Sequence, residues 1–346
     1  MSTPGPPAVD GPTVGGPAGP GSRARLLTWL SVLVGVGVLV LGTVVVVDRW
    51  DEVSEALTAI GWGPALLCLL LTTAGVLATG ECWRVWLRAL GGGPSPWVAH
   101  RVFYVTQAGK YVPGSLWPVL AQAVLARRYG VARPAMVGAA TLFLLLHTVT
   151  GVVVGVVGVG AGLASRWAWL VLPVAVAGLV VLLPPVLGRL LRALARWRPA
   201  LATASPGWSA TGRAAALMGL AWACYGTATW VLLQPLGAAA GTLPAAVGGY
   251  ALAWVVGFLA VAAPAGVGAR EAVLVAVLGP VVGVSEALSV ALVSRVALTV
   301  ADLGLAAASA GVLRRPAGAV TPAGPDAPGQ PGQPVQRGSS PESSAS

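Results

Sequence analysis

Four charged residues stand inside otherwise apolar runs of this sequence: Lys110, Arg270, Arg295 and Asp302. Unpaired at the centre of a bilayer, each would cost about 2.5 to 3.5 kcal/mol, or roughly 10 to 14 kcal/mol together. That sum rivals a typical folding free energy of about 5 to 15 kcal/mol. The four must therefore be paired, hydrated or close to an interface. Arg295 and Asp302 are two helical turns apart on one face, so they point into a helix bundle together, either as a brace between helices or as substrate contacts. Arg270 and Glu271 follow a Gly/Pro break and open a half-helix, where free amides and the helix dipole favour an anion. Glu271 either caps that half-helix or balances a cationic group of a substrate. Lys110 lies in a second break, beside Tyr111, Pro113 and Gly114. It is placed to contact a phosphate or to snorkel to the interface. Trp117, four residues beyond Pro113, is an interfacial anchor or the closure of a cavity mouth.

Enzyme signatures are missing. The chain has no GxSxG, Walker loop, HExxH or paired-carboxylate cluster, and its two histidines are His100 and His147. Cys68, Cys82 and Cys224 fit no metal spacing and read as small hydrophobes. No catalytic residue, metal site or cofactor is expected. His147, mid-way along an apolar run, is expected either to hydrogen-bond a neighbouring helix or to line a cavity as a proton carrier.

The elements that hold these residues follow from composition. Of 346 residues, 56% are hydrophobic and 9% charged, with a mean hydropathy of +0.81, against about 25% charged in ordinary soluble domains. Apolar runs of 18 or more residues match a hydrocarbon core of about 30 Å. The net charge of +10 sits mostly in short loops, which suits cytoplasmic loops facing anionic lipid and not nucleic acid. Spans are predicted from Leu26 to Val47, Pro64 to about Leu87, Ala135 to Ala164, Ala168 to Leu187, Gly212 to Leu233 and Ala287 to Leu313. Two stretches are interrupted: Trp97 to Ala126 by GKYVPG, and Ala245 to Gly283 by APAGVGARE. Such breaks are tolerated only where freed backbone is buried in protein or lines a watery cavity.

The fold class expected is all-α integral membrane, with about six full spans plus two broken re-entrant hairpins, or about eight or more spans. Residues 1–22 and 316–346 are Pro, Gly and Ser rich and read as disordered tails. Residues 23–315 form the membrane domain, in halves of about 23–164 and 165–315. With three crossings per half, the halves run in opposite orientation as an inverted repeat. This topology puts sixteen of the 21 basic residues inside and only Arg49 and Arg166 outside, with three at membrane depth. Both termini then face the cytoplasm, while the acidic segment Asp48 to Leu57 faces outward. The longest predicted loop, Gly188 to Thr211, is arginine-rich and has no acid.

QAGKYVPGSLW (Gln107 to Trp117), LARRYGV (Leu125 to Val131) and APAGVGAREAVL (Ala263 to Leu274) together resemble the flippase-like membrane domain of lysylphosphatidylglycerol synthases. The resemblance covers Leu26 to Leu313. Matching positions are Lys110, Tyr111, Pro113, Gly114, Trp117, Pro264, Gly266, Gly268, Arg270 and Glu271. In the bifunctional synthases this domain moves an aminoacylated phospholipid between leaflets, and a separate soluble domain makes that lipid. The resemblance therefore implies lipid translocation in the plasma membrane, with a membrane lipid as substrate. Lys110, Tyr111, Pro113, Gly114, Trp117, Arg270, Glu271, Arg295 and Asp302 are the candidate substrate-binding residues. A lipid-modifying membrane enzyme, akin to glycosyltransferase-associated proteins, and a non-catalytic partner of an envelope-synthesis complex are the competing expectations.

Overall fold

The structure is a computed structural model that describes residues 50–91, 93–111, 117–126, 129, 131–162, 168–194, 207–260 and 266–311. The predicted span Leu26 to Val47, both predicted tails, and Pro113, Gly114 and Pro264 lie outside the described residues. All regular structure among the described residues is helical. A short helix α1 (Trp50–Ile60) leads into α2 (Trp62–Ala89). The first interrupted stretch is α3 (Pro96–Gln107), a 3-10 turn (Ala108–Tyr111) and α4 (Trp117–Ala126), followed by α5 (Arg133–Gly162). Then come α6 (Ala168–Leu182), α7 (Pro184–Leu194) and α8 (Trp208–Leu233). The second interrupted stretch is α9 (Leu243–Leu259) and α10 (Ala269–Val282), before α11 (Val284–Ser309).

Helices α2, α5, α8 and α11 are long and apolar enough to cross a membrane, as is α9 with the turn before it (Ala240–Leu259). This is a multi-pass all-α membrane protein, and its surface is organised for lipid. On α2, Trp62, Leu66 and Leu70 recur every four residues and are more than half exposed. Cys68, Thr72, Val76 and Thr79 on the opposite face are buried. A 3.6-residue period thus separates a lipid-facing stripe from a packed one. Large apolar side chains are thus exposed on the lipid-facing stripe, while Asp302 is buried inside the bundle.

The interrupted stretches differ. The arms α3 and α4 have 12 and 10 residues, about 18 and 15 Å at 1.5 Å per residue, too short to cross. The first arm of the second pair, α9, is long enough with its preceding turn. In both pairs the arms pack on each other, and the second arm packs on the long helix that follows. Buried hydrogen bonds fix the first pair: Trp83 Nε1 on α2 donates to Gln122 Oε1 on α4 (3.0 Å), and Gln122 Nε2 donates to Thr106 Oγ1 on α3 (3.2 Å).

Two sequence expectations are corrected. The run Ala168 to Leu187 is not one straight helix: it bends at Leu183, because Pro184 and Pro185 supply no amide hydrogens and begin a new helix instead. The arginine-rich stretch from Gly188 is not all loop, since α7 carries Arg189 and Arg192 on an amphipathic helix with both side chains exposed.

Candidate functional site

The broken segments and α11 enclose a cavity of about 130 Å³. Its polar side is built from Lys110 and Tyr111 on the 3-10 turn, Arg270 on α10, and Arg295, Thr299 and Asp302 on α11. The α11 residues follow a spacing of four, three and seven, which keeps them on one face. Sequence spacing anticipated that Arg295 and Asp302 point inward together, and both line the cavity.

Each cavity carboxylate is engaged. Lys110 Nζ lies 2.6 Å from Asp302 Oδ2, and the Tyr111 hydroxyl donates to the same oxygen at 2.8 Å. The Asp302 side chain is only 2% exposed, so this contact ties the first break to α11 away from lipid. Arg295 Nη1 meets Glu271 Oε1 at 2.5 Å, joining α11 to α10. The other Glu271 oxygen accepts the Gly268 amide at 2.6 Å. Glu271 is therefore the N3 residue of a capping arrangement on α10. Gly268 has φ +83°, a left-handed conformation that glycine adopts without steric cost. Glu271 is not among the residues lining the cavity; of its two expected roles, the cap on α10 is the one present in this geometry.

Arg270 differs from the other charges. Its guanidinium lies 5.2 Å from the centre of the Tyr250 ring on α9, and no carboxylate among the described residues lies within ion-pairing distance. Two glycines hold it there. The Arg270 stem packs where a Gly257 side chain would stand, and a Cβ at Gly266 would lie 2.6 Å from Gly257 Cα. Backbone meets backbone at this point. Gly266 belongs to the motif read from the sequence, whereas Gly257 was missed.

The remaining wall is aromatic. His147 on α5 stacks on Trp254 (3.7 Å between centroids, 12°) and meets Trp222 edge-on at 4.9 Å. Trp254 also stacks with Phe258 (5.3 Å, 7°), and Tyr250 with Tyr225 (5.3 Å, 24°). The expectation that His147 hydrogen-bonds a neighbouring helix is corrected: neither ring nitrogen has a hydrogen-bond partner among the described residues. Aromatic packing holds the ring in place of hydrogen bonds. Tyr250, Trp254, Gly257 and Phe258 all line the cavity and were not singled out from sequence. Trp254 follows Tyr250 by four residues and precedes Gly257 and Phe258 by three and four, which places them on one face of α9, a pattern the sequence did carry.

Trp117 is outside the lining and 44% exposed. It sits beside the turn, where a Cβ at Gly109 would be 3.3 Å from Trp117 Cβ. Pro113 and Gly114 lie outside the described residues.

A second polar cluster lies apart from the cavity. Glu81 on α2 binds Arg84, lies 3.0 Å from His100 Nε2 on α3, and is 3.9 Å from Arg213 on α8.

The sequence matches the family described as "Lysylphosphatidylglycerol synthase TM region" over residues 28–305. The chain belongs to this family. The match spans every element from α1 to the last turn of α11 and both interrupted stretches, so the charged cavity falls within the family domain. The search of curated proteins returned no relative.

Proposed function

We propose that this family member is a plasma-membrane lipid translocase whose charged cavity receives the headgroup while the acyl chains remain in lipid. One observation carries the reading: Lys110 and Arg270, from two different interrupted segments, line the same cavity. Inside a membrane domain, cations are retained where a substrate needs them. A phosphate entering there exchanges water for charge-assisted hydrogen bonds of about 1.5 to 3 kcal/mol each. Lys110, Tyr111, Arg270, Arg295 and Asp302 are the residues proposed to form the binding surface.

An inverted repeat is part of the same proposal, with both termini cytoplasmic. Packing supports it through reciprocity: α5 packs on α9 as α11 packs on α3, and α2 and α8 pack on each other. Broken helices meeting at such a repeat suit alternating exposure of one central site. Labelling from outside should modify a cysteine placed at Ser54 and spare one at Ser205, and the opposite pattern would remove both topology and repeat.

The functional test is headgroup-resolved lipid movement in vesicles containing only this protein, comparing wild type with Lys110→Ala and Arg270→Ala at matched abundance. Both substitutions should abolish movement. Unchanged transport in both would sink the cavity assignment, and chemical conversion of the lipid would favour a lipid-modifying enzyme instead.

A further inference from the structure

The charges around the cavity do not balance. Among the described residues, Lys110, Arg270 and Arg295 face it or its rim, against the carboxylates of Asp302 and Glu271, leaving an excess of one cation. Asp302 is occupied by Lys110 and Tyr111, and Glu271 by Arg295 and the Gly268 amide. The surplus therefore resides at Arg270, whose planar fork carries five N–H donors suited to phosphate.

A cationic headgroup would have to find a different partner. An aromatic face could serve, but those of Tyr250 and Trp254 are already engaged. Tyr250 has Tyr225 stacked on it and Arg270 over its ring, while Trp254 is stacked with both His147 and Phe258. Among the described residues an ammonium thus meets no carboxylate outside an ion pair, and it approaches three cations.

We infer that the cavity selects a lipid headgroup that is net anionic, with its phosphate on Arg270, and discriminates against headgroups carrying an ammonium, aminoacylated ones included. This inference rests on the lipid-translocase reading and narrows it to a substrate class. It separates the present chain from the charge of the lipid in its family's description, since a lysyl ester adds two ammonium groups to phosphatidylglycerol.

The experiment uses the full-length chain in phosphatidylcholine nanodiscs doped with phosphatidylglycerol, phosphatidylethanolamine or lysyl-phosphatidylglycerol. The readout is the lipid retained on the protein by native mass spectrometry. Phosphatidylglycerol should be retained about tenfold over either ammonium-bearing lipid, a difference of about 1.4 kcal/mol. Phosphatidylethanolamine has the smaller headgroup, so its exclusion would reflect charge and not size. Arg270→Gln should erase the preference and Arg270→Lys should keep part of it, with thermal unfolding confirming that each variant is folded. Equal or stronger retention of either ammonium-bearing lipid by wild type overturns the inference without any variant, and leaves the translocase reading standing. Retention of no lipid at all overturns both. If soluble glycerol phosphate displaces phosphatidylglycerol at equal affinity, the anionic chemistry is supported while the lipid source fails.

Discussion

The protein holds two charge clusters, and they solve the same electrostatic problem differently. At Glu81, one carboxylate gathers Arg84, His100 and Arg213, so cations outnumber acids there too. The excess is carried by Arg213, whose side chain is 64% exposed and can be neutralised by water and counterions. At the cavity the excess is carried by Arg270, enclosed between α9 and α10. The first cluster is complete as it stands. The second holds its excess away from bulk water, which is why we propose binding for it and bracing for the other.

The most damaging change should be Asp302→Ala. It strands Lys110 and Tyr111 at a site where the carboxylate is almost wholly buried, at a cost of about 3 to 5 kcal/mol. Membrane abundance and unfolding temperature should both fall, and adding Lys110→Met should recover much of the loss. A single variant as stable as wild type would show that this pair reaches water and would erase the distinction between the clusters.

Glu81→Gln should have a smaller effect and on stability alone. Arg84 is only 12% exposed, so losing its partner should cost about 1 to 3 kcal/mol. Lipid movement per folded molecule should not change. A transport defect at matched abundance would place Glu81 in the binding machinery and collapse the comparison.

The weakest effect is expected from Arg213→Gln. Its contact with Glu81 is long at 3.9 Å and solvated, and such pairs contribute about 0 to 1 kcal/mol. Chemical denaturation of wild type and variant should differ by no more than that. A larger shift would mean that the Glu81 cluster is sealed from water and its surplus cation unneutralised.

Much of this was legible in the sequence because lipid imposes stringent rules. Length and apolar content located α2, α5, α8 and α11, and Gly/Pro breaks located the two interrupted stretches. Burial cost alone required that Lys110, Arg295 and Asp302 find partners. Which partners they found was not legible: Lys110 to Asp302 and Arg295 to Glu271 join residues 192 and 24 positions apart, and nothing local specifies that pairing. The bend at Leu183 was hidden because hydropathy averages over a proline pair. His147 was misjudged for a related reason. A polar side chain in an apolar run suggests a hydrogen bond, whereas its environment is a cluster of rings from its own helix and two others.

The meeting of Gly257 with Gly266 also restricts how the cavity can breathe. Where two backbones touch with no side chains between them, there is no rotamer to swing aside, and parting them means moving whole helices. The wall formed by Phe143, Trp254 and Phe258 consists of side chains, which can change rotamer without a helix moving once their ring contacts part. The glycine seam is therefore the stiff part of the chamber, and the aromatic wall the part whose side chains can yield.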